Sequence, residues 1–470
     1  MIVSIIVGSF ASAQSDTVAD RKFSVVELRT DLSFWRNRLE TKHPLIYLYQ
    51  SKAEVDNYFD SLNWAIEQPM TEIEFFNHIA PVSSFLRDGH NTILPSDVSL
   101  NAMRKTKMLL PLDLKYFGEH LYVLRNLSAN LTIKPGDEVS TINGVDVLEI
   151  KERLLRMVPQ EGNNQQLAIG TINDLFRFYY QIVYGFPDHN ELTIQYPDAS
   201  EKQFSLESRN LKEIRAIRTL RYPKLPPRKP RGIYFEELED GKNAILTIST
   251  FDQETLKHSK QRFRSEIRGI FRQLKKSKTE NLILDLRDNP GGNPDFVKVV
   301  LKHLFDHRFE QAKEFRIVQR AGAENFNLRT RKKWYPWFGI GKFSPAHNHF
   351  DGKIVVLHDA NTFSAGVEVL SVLRKYDRAT FIGSESGGNP VIMGGFISKT
   401  QWELPNTKLQ FSSGTHCRLF EDLEKNTGRG IIPDIEVVPD LFDTLTGYDS
   451  CLEYALEMIG QGEKSLPTPH

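Results

Sequence analysis

Cysteine is almost missing from this chain: Cys417 and Cys451 are the two in 470 residues. Two thiols build neither a disulfide scaffold nor a thiolate metal cluster, although in an exported protein they could form one bridge. Charge of one sign is missing too, since 60 Lys and Arg balance 60 Asp and Glu. That balance removes any global pull toward nucleic acid or an anionic membrane. Beyond the N-terminus no apolar run is long enough to span a bilayer, so stable membrane insertion is not expected. Zinc-ligand spacing is absent: the histidines are scattered, and His347-Asn348-His349 is a loop pair without further ligands nearby. There is no GxGxxG and no glycine loop ending in Gly-Lys-Ser/Thr. Neither a metal nor a cofactor is expected.

What remains is a globular composition, 40% apolar and 26% charged, on a chain long enough for two or three domains. Ile2 to Phe10 is apolar, and Ala11-Ser12-Ala13 has the small-x-small form of a signal-peptidase site, although no Lys or Arg precedes it. Residues 1–13 therefore read as a leader, and the mature protein as exported, periplasmic or extracellular.

Residues 20–100 carry a helical pattern: Leu28, Leu32, Trp35 and Leu39 recur at helix spacing, and Thr71 to Glu74 is a capping box. This segment ends in Asp88-Gly89-His90-Asn91-Thr92. Residues 105–208 alternate in short strand-like runs. Within them Ile133-Lys134-Pro135-Gly136-Asp137-Glu138-Val139, followed by Ile142-Asn143-Gly144, resembles the carboxylate-binding-loop side of a PDZ domain. That resemblance implies a module taking extended peptide ends by strand addition. Residues 209–231 are basic, with Pro223, Pro226, Pro227 and Pro230, and read as a linker.

From 232 to 445 the pattern is α/β. Strands at Ala244–Ile248, Leu282–Leu286, Lys353–Leu357 and Ala379–Gly383 alternate with helices at Glu254–Leu274, Pro294–Phe305 and after Ser364. Continuous apolar strands separated by helices argue for a buried, largely parallel sheet. An insertion from Arg316 to Asn348, with Trp334, Trp337 and Phe338, is foremost a packed loop, with a lid or a substrate wall as the other readings. Residues 446–470 form a C-terminal tail.

Chemistry concentrates at two strand ends. Asn361-Thr362-Phe363-Ser364-Ala365-Gly366 joins a buried strand to a helix, where Ser364 is either a helix cap or a nucleophile beside the unpaired N–H groups of the helix start. Arg287-Asp288-Asn289-Pro290-Gly291-Gly292-Asn293 ends another strand, and its two glycines let backbone N–H groups approach a ligand closely.

Leu284-Asp285-Leu286-Arg287-x-Asn289-x-Gly291-Gly292, then Thr362-x-Ser364-Ala365, then Gly430-Ile431-Ile432-Pro433-Asp434 form an ordered series. It resembles the serine peptidases of the C-terminal processing protease and tricorn superfamily. The resemblance implies a multidomain α/β fold, with a crotonase/ClpP-like α/β core, a PDZ-like β-rich module and an N-terminal α-helical domain. It also implies hydrolysis of peptide or protein substrates, and a homo-oligomer is compatible with it. The processing-protease branch uses a lysine base, and the corresponding position here is Asn389, which cannot take a proton. The tricorn-like branch uses a histidine, and Asp88-Gly89-His90-Asn91-Thr92 resembles its signature. The implied roles are Ser364 as nucleophile, His90 as base, and Gly292 or Gly291 with Ala365 as oxyanion donors. His358 reads as structural and His416 as the weaker alternative base. The orienting acid of that branch falls near Thr427, so Glu424 is the substitute, with Glu421 and Asp422 close by. A catalytically silent binding protein on the same fold and an acyl-CoA enzyme of the crotonase type are the competing classes. Retention of Ser364 and His90 speaks against the first, and export against the second.

Overall fold

The computed structural model describes residues 21–105, 108–223, 230–239, 241–320, 326–397 and 401–460. The leader read at 1–13 lies outside them. The N-terminal region is built from helices Val25–Lys42, Lys52–Trp64, Glu72–Ile79 and Val82–Phe85. The first three each start from a capping box, at Ser24/Glu27, Ser51/Glu54 and Thr71/Glu74, which satisfies backbone N–H groups that a helix start leaves unpaired.

An antiparallel sheet forms the middle module, in the order Leu112–Phe117, His120–Asn126, Glu138–Ile142, His189–Gln195, Glu201–Glu207, with the short strand Val145–Asp146 paired to Glu138–Ile142. Helices Val147–Arg156 and Gln166–Tyr184 pack against this sheet. The helical region and this module share one apolar cluster, in which Leu28, Trp35 and Phe76 join Val123, Ile172 and Tyr180. A boundary near residue 100 therefore separates chain segments, not cores.

One edge of the module's sheet bears on the strand-addition reading. In a peptide-binding module such an edge offers its free N–H and C=O groups to the ligand. Here the edge strand Leu112–Phe117 is already paired by side chains of the Gln166–Tyr184 helix. Asn173 accepts the Tyr116 N–H at 2.8 Å and donates to the Tyr116 carbonyl at 3.2 Å. One turn on, Arg177 donates to the Leu110 and Leu112 carbonyls at 2.7 Å each and bridges Asp113. A peptide strand would have to displace all of these bonds.

The 209–231 segment is not simply a linker. Leu211–Arg221 is a helix with a capping box at Asn210 and Glu213. Ile214 is buried beside Leu109 and Leu127, while Arg218 meets Asp113 at 2.8 Å. Lys212 and Arg215 lie on its outer face while Arg218 and Arg221 reach into the module, a division that composition alone does not reveal.

The core sheet runs Ile233–Glu237, Asn243–Ile248, Asn281–Asp285, Lys353–His358, Thr380–Gly383, Ile435–Glu436, parallel after the first pair. The helix expected over 254–274 is two, Gln253–His258 and Phe263–Ser277. Lys260 between them has φ +56°, a left-handed residue that ends the first helix. Helix Ser450–Gly460 is part of this fold rather than a tail. Its Cys451 and Ala455 cover Ile283, Val355, Leu357 and Ile382 on one sheet face. Cys417 is buried in a different cluster, and both thiols are free.

A second sheet, ordered Asn327–Arg331, Glu314–Arg320, His416–Leu419, Ile392–Gly395, absorbs the insertion. Phe338 packs on Phe315 and His416, whereas Trp334 and Trp337 stay exposed. Strand Thr92–Leu94, just after His90, pairs with Gln410–Ser412. That pairing ties the N-terminal region to the core and sets His90 above the core strand ends.

Candidate active site

Ser364 sits between the strand Lys353–His358 and the helix Ala365–Lys375. Its backbone has φ 50° and ψ −122°, a conformation that costs an L-residue about 1–3 kcal/mol and is tolerated where surroundings enforce it. The enforcing contacts are specific. Thr362 Oγ1 donates to the Leu286 carbonyl, and the Phe363 N–H donates to the Asn289 carbonyl at 2.9 Å. Although Ser364 holds the N-cap position, its side chain makes no capping bond. The hydroxyl instead lies 3.2 Å from His90 Nε2.

His90 is only 2% exposed. Its Nδ1 lies 3.0 Å from Asp88 Oδ1, which also accepts the His90 backbone N–H at 2.9 Å. A carboxylate can only accept, so Nδ1 carries the proton and Nε2 offers its lone pair to Ser364. Burial alone would raise the Asp88 pKa. The hydrogen bond and charge of His90, with the charge of His43, outweigh that and hold it at about 2. Asp88 is wedged between glycines: a Cβ on Gly394 would stand 2.7 Å from Oδ2. Gly89 is equally constrained, since a Cβ there would meet Phe363 at 2.6 Å and Leu167 at 2.8 Å. Rings of Phe363 and Phe396 flank the imidazole at 4.8 and 5.3 Å.

The glycine strand end lies alongside. A Cβ on Gly291 would stand 2.6 Å from the Ala365 nitrogen. The Gly291 N–H is taken by Asn289 Oδ1 at 2.8 Å, so it is not a free donor. Among the described residues no hydrogen bond takes the N–H of Gly292 or of Ala365, which narrows the expected oxyanion set to those two. Asn289 is the organiser here: buried, it also donates to the Ile248 carbonyl at 2.7 Å. Arg287 serves structure instead, bridging Asp285 and Asp449.

The other candidates fall elsewhere. Glu424 is exposed on the one-turn helix Leu423–Lys425, and the His90 Nδ1 that it was expected to orient is held by Asp88. Glu421 bridges Lys425 and Lys375, and Asp422 bridges Lys313. Asn389 donates to Tyr49 Oη and Asn426 Oδ1 and accepts two backbone N–H groups, a wholly structural set of bonds. His358 is fully buried, and burial first, then the Arg374 charge, lowers its pKa to about 4. His416 stacks on Phe315, with its pKa driven well below the usual value by burial and the Arg418 charge. Among the described residues, Asp88, His90 and Glu161 bring one potential metal-ligand atom each within 4.8 Å of one another. The Asp88 and His90 atoms already serve each other.

Residues 242–437 match the sequence profile of peptidase family S41. The chain carries a family S41 peptidase core. Three solved structures share its fold. Mature CPAF is 16% identical with a TM-score of 0.66, over 94% of this chain and 99% of that one. Mature CPAF complexed with lactacystin is 17% identical with a TM-score of 0.66, over 93% and 98%. A putative peptidase from Parabacteroides merdae is 14% identical with a TM-score of 0.50, over 95% and 100%. No curated protein matches the sequence. The S41 core supplies Ser364 and the glycine strand end, whereas Asp88 and His90 come from the helical region outside the matched residues. Asp88 was visible in the Asp88-Gly89-His90 string. Its part was missed because the resemblance placed the orienting acid near Thr427.

Proposed function

We propose that this peptidase is an exported serine endopeptidase acting on peptide or unfolded-protein substrates through an acyl-enzyme. One observation carries the reading: the Ser364 hydroxyl leaves its capping position unused and faces the His90 nitrogen that Asp88 keeps proton-free. In the first step His90 Nε2 takes the Ser364 proton as Oγ attacks the peptide carbonyl. The N–H groups of Gly292 and Ala365 receive the developing oxyanion. His90 then protonates the leaving amine, and water, activated by the same nitrogen, releases the acyl group. Asp88 stays ionised and stabilises the imidazolium. Strand addition at the Leu112–Phe117 edge has no part in this reading, because that edge is already filled. Export is supported by the apolar run Ile2–Phe10 with its small-x-small end.

A fluorophosphonate probe tests the chemistry. Labelling of the wild type, its loss in Ser364→Ala and its strong reduction in His90→Ala are expected; labelling that persists in Ser364→Ala overturns the nucleophile. Mass spectrometry of the secreted protein tests export, with a new N-terminus at Gln14 expected.

A further inference from the structure

One ionisable group at the centre of the molecule is left without a task by this mechanism. Glu161 lies in the corner between the Val147–Arg156 and Gln166–Tyr184 helices of the middle module and is 1% exposed. Its Oε2 accepts the Gly89 N–H at 3.0 Å, between the two residues of the Asp88–His90 pair. Among the described residues its Oε1 has no hydrogen-bond partner, and Asp88 Oδ2 has only His43 Nε2, at 3.6 Å.

The corner grips both halves of the site. The Gly162 N–H donates to the Arg87 carbonyl at 2.9 Å, and Arg87 Nη1 donates to Asn163 Oδ1 at 2.9 Å. On the core side the Asn163 N–H donates to the Gly428 carbonyl at 2.8 Å, and Asn164 Nδ2 to the Ser386 carbonyl at 2.6 Å. The module therefore enters the catalytic centre as a wedge.

We propose that Glu161 is a positioning residue of the Asp88–His90 pair, fixing the 88–90 turn through the Gly89 N–H. The inference rests on the serine-peptidase reading, since the turn's position matters to turnover only if His90 moves the Ser364 proton. Burial, and then the charge of Asp88, push the Glu161 pKa well above the carboxylate range, against a smaller opposing pull from the Gly89 N–H. That shift favours the neutral form, which keeps the acceptor for the Gly89 N–H without a second negative charge beside Asp88.

The acceptor role predicts a specific pattern across Glu161→Ala, Glu161→Gln and Asn163→Ala. Glutamine keeps the shape of the side chain and an oxygen for the Gly89 N–H. Glu161→Ala is expected to lower kcat for a fluorogenic peptide about 10–100-fold, the cost of a misplacement on the order of 1 Å, with KM within about twofold. Glu161→Gln is expected within about threefold of the wild-type kcat. A second readout needs no turnover: the downfield proton resonance of the Asp88–His90 hydrogen bond, recorded in a Ser364→Ala background. It is expected to be lost in Glu161→Ala and kept in Glu161→Gln and Asn163→Ala. Wild-type kcat in Glu161→Ala, or glutamine as damaging as alanine in both readouts, overturns the proposal. So does loss of the resonance in Asn163→Ala, which loosens the corner without touching the carboxyl. Should Glu161→Ala not fold, Glu161→Met, which keeps volume without an acceptor, takes its place. Failure of the peptidase reading itself shows separately, as an absence of Ser364-dependent labelling with the resonance pattern intact.

Discussion

Replacing Asp88 by Asn puts the catalytic geometry to its most direct test. The carboxylate takes both the His90 backbone N–H, at 2.9 Å, and His90 Nδ1, at 3.0 Å, on the same oxygen. An asparagine keeps the shape and can still accept the backbone N–H, so the 88–90 turn should survive. Its amide, however, can present N–H to Nδ1, which places the imidazole proton on Nε2. A protonated Nε2 cannot accept from Ser364, whose hydroxyl lies 3.2 Å away. Loss of the tautomer and of the charge opposite the imidazolium together are expected to lower kcat by about 10³–10⁴, or roughly 4–5.5 kcal/mol of transition-state stabilisation. KM should change little, because Asp88 is buried and does not meet substrate. Since Asp88 in the wild type titrates at about 2, its stabilising interaction is complete above the unfolded carboxyl value near 3.9 and is lost only as pH falls toward 2. No limb of a rate profile measured between pH 5 and 9 belongs to it. The paired control is Glu424→Gln, expected within about twofold of wild type, as for an exposed residue away from such features. Peptide hydrolysis with active-site titration reads both. An Asp88→Asn enzyme within tenfold of wild type, or a Glu424→Gln enzyme impaired as deeply as Asp88→Asn, refutes the assignment of Asp88.

Three further outcomes follow from contacts already described. Gly291→Ala, at φ +94° and with its Cβ 2.6 Å from the Ala365 nitrogen, is expected to lower kcat about 10²–10³-fold by spoiling the oxyanion donors; steady-state kinetics within twofold of wild type would argue against them. Arg418→Ala leaves Glu368, in the first turn of the Ser364 helix, buried without the cation that meets it at 2.5 and 2.7 Å. A loss of about 3–5 kcal/mol is expected in urea unfolding, and a loss under 1 kcal/mol contradicts it. His358 titrates at about 4 in the fold but near 6.5 when unfolded, a gap worth about 3 kcal/mol. Between those values the unfolded chain binds more protons, so stability falls as pH drops from 6.5 to 4. His358→Leu is expected to flatten that fall, and an unchanged slope in unfolding midpoint against pH refutes it.

The core was the most legible part of the chain because its strands carry their signal locally. Ile354 to Leu357 and Leu282 to Leu284 are continuous apolar runs, and the sheet buries both of their faces, one under the Ser450–Gly460 helix. Helices at its edges were harder to read. In Leu211–Arg221 the basic residues and the prolines beyond the helix mask an apolar stripe in which Ile214 does the packing. The 446–470 segment was read as a tail because the sheet face it covers exists only after the parallel strands assemble. The module's closed edge was invisible for a related reason. Asn173 and Arg177 are spaced by one helical turn, an unremarkable pattern until Tyr116 and Leu112 are seen to lie opposite.

The site shows a sharper limit, and it lies in how motifs encode geometry. Ser364 and His90 could be named because each belongs to a string with its own neighbours, and the structure brings them to 3.2 Å although 274 residues separate them. The orienting acid was sought near Gly430-Ile431-Ile432-Pro433-Asp434 because the resemblance places it there. It lies instead two residues from the histidine. A carboxylate so close in sequence reaches Nδ1 only if the backbone between them folds back, and the intervening glycine leaves room for that fold. Gly89 has no side chain to collide with Phe363 and Leu167, and its N–H is held by Glu161 from another segment. The functional unit is therefore Asp88-Gly89-His90 together with Glu161. Its geometry is set as much by the corner at 161–164 as by the residues that face Ser364. That dependence makes a distinctive demand: substitutions at Gly89 should damage catalysis as deeply as those at Asp88. Gly89→Ala is expected to lower kcat by about 10²-fold or more, since its Cβ would displace the turn by the order of 1 Å. Near wild-type kcat in Gly89→Ala would show that the turn tolerates displacement and that the corner does not set its position.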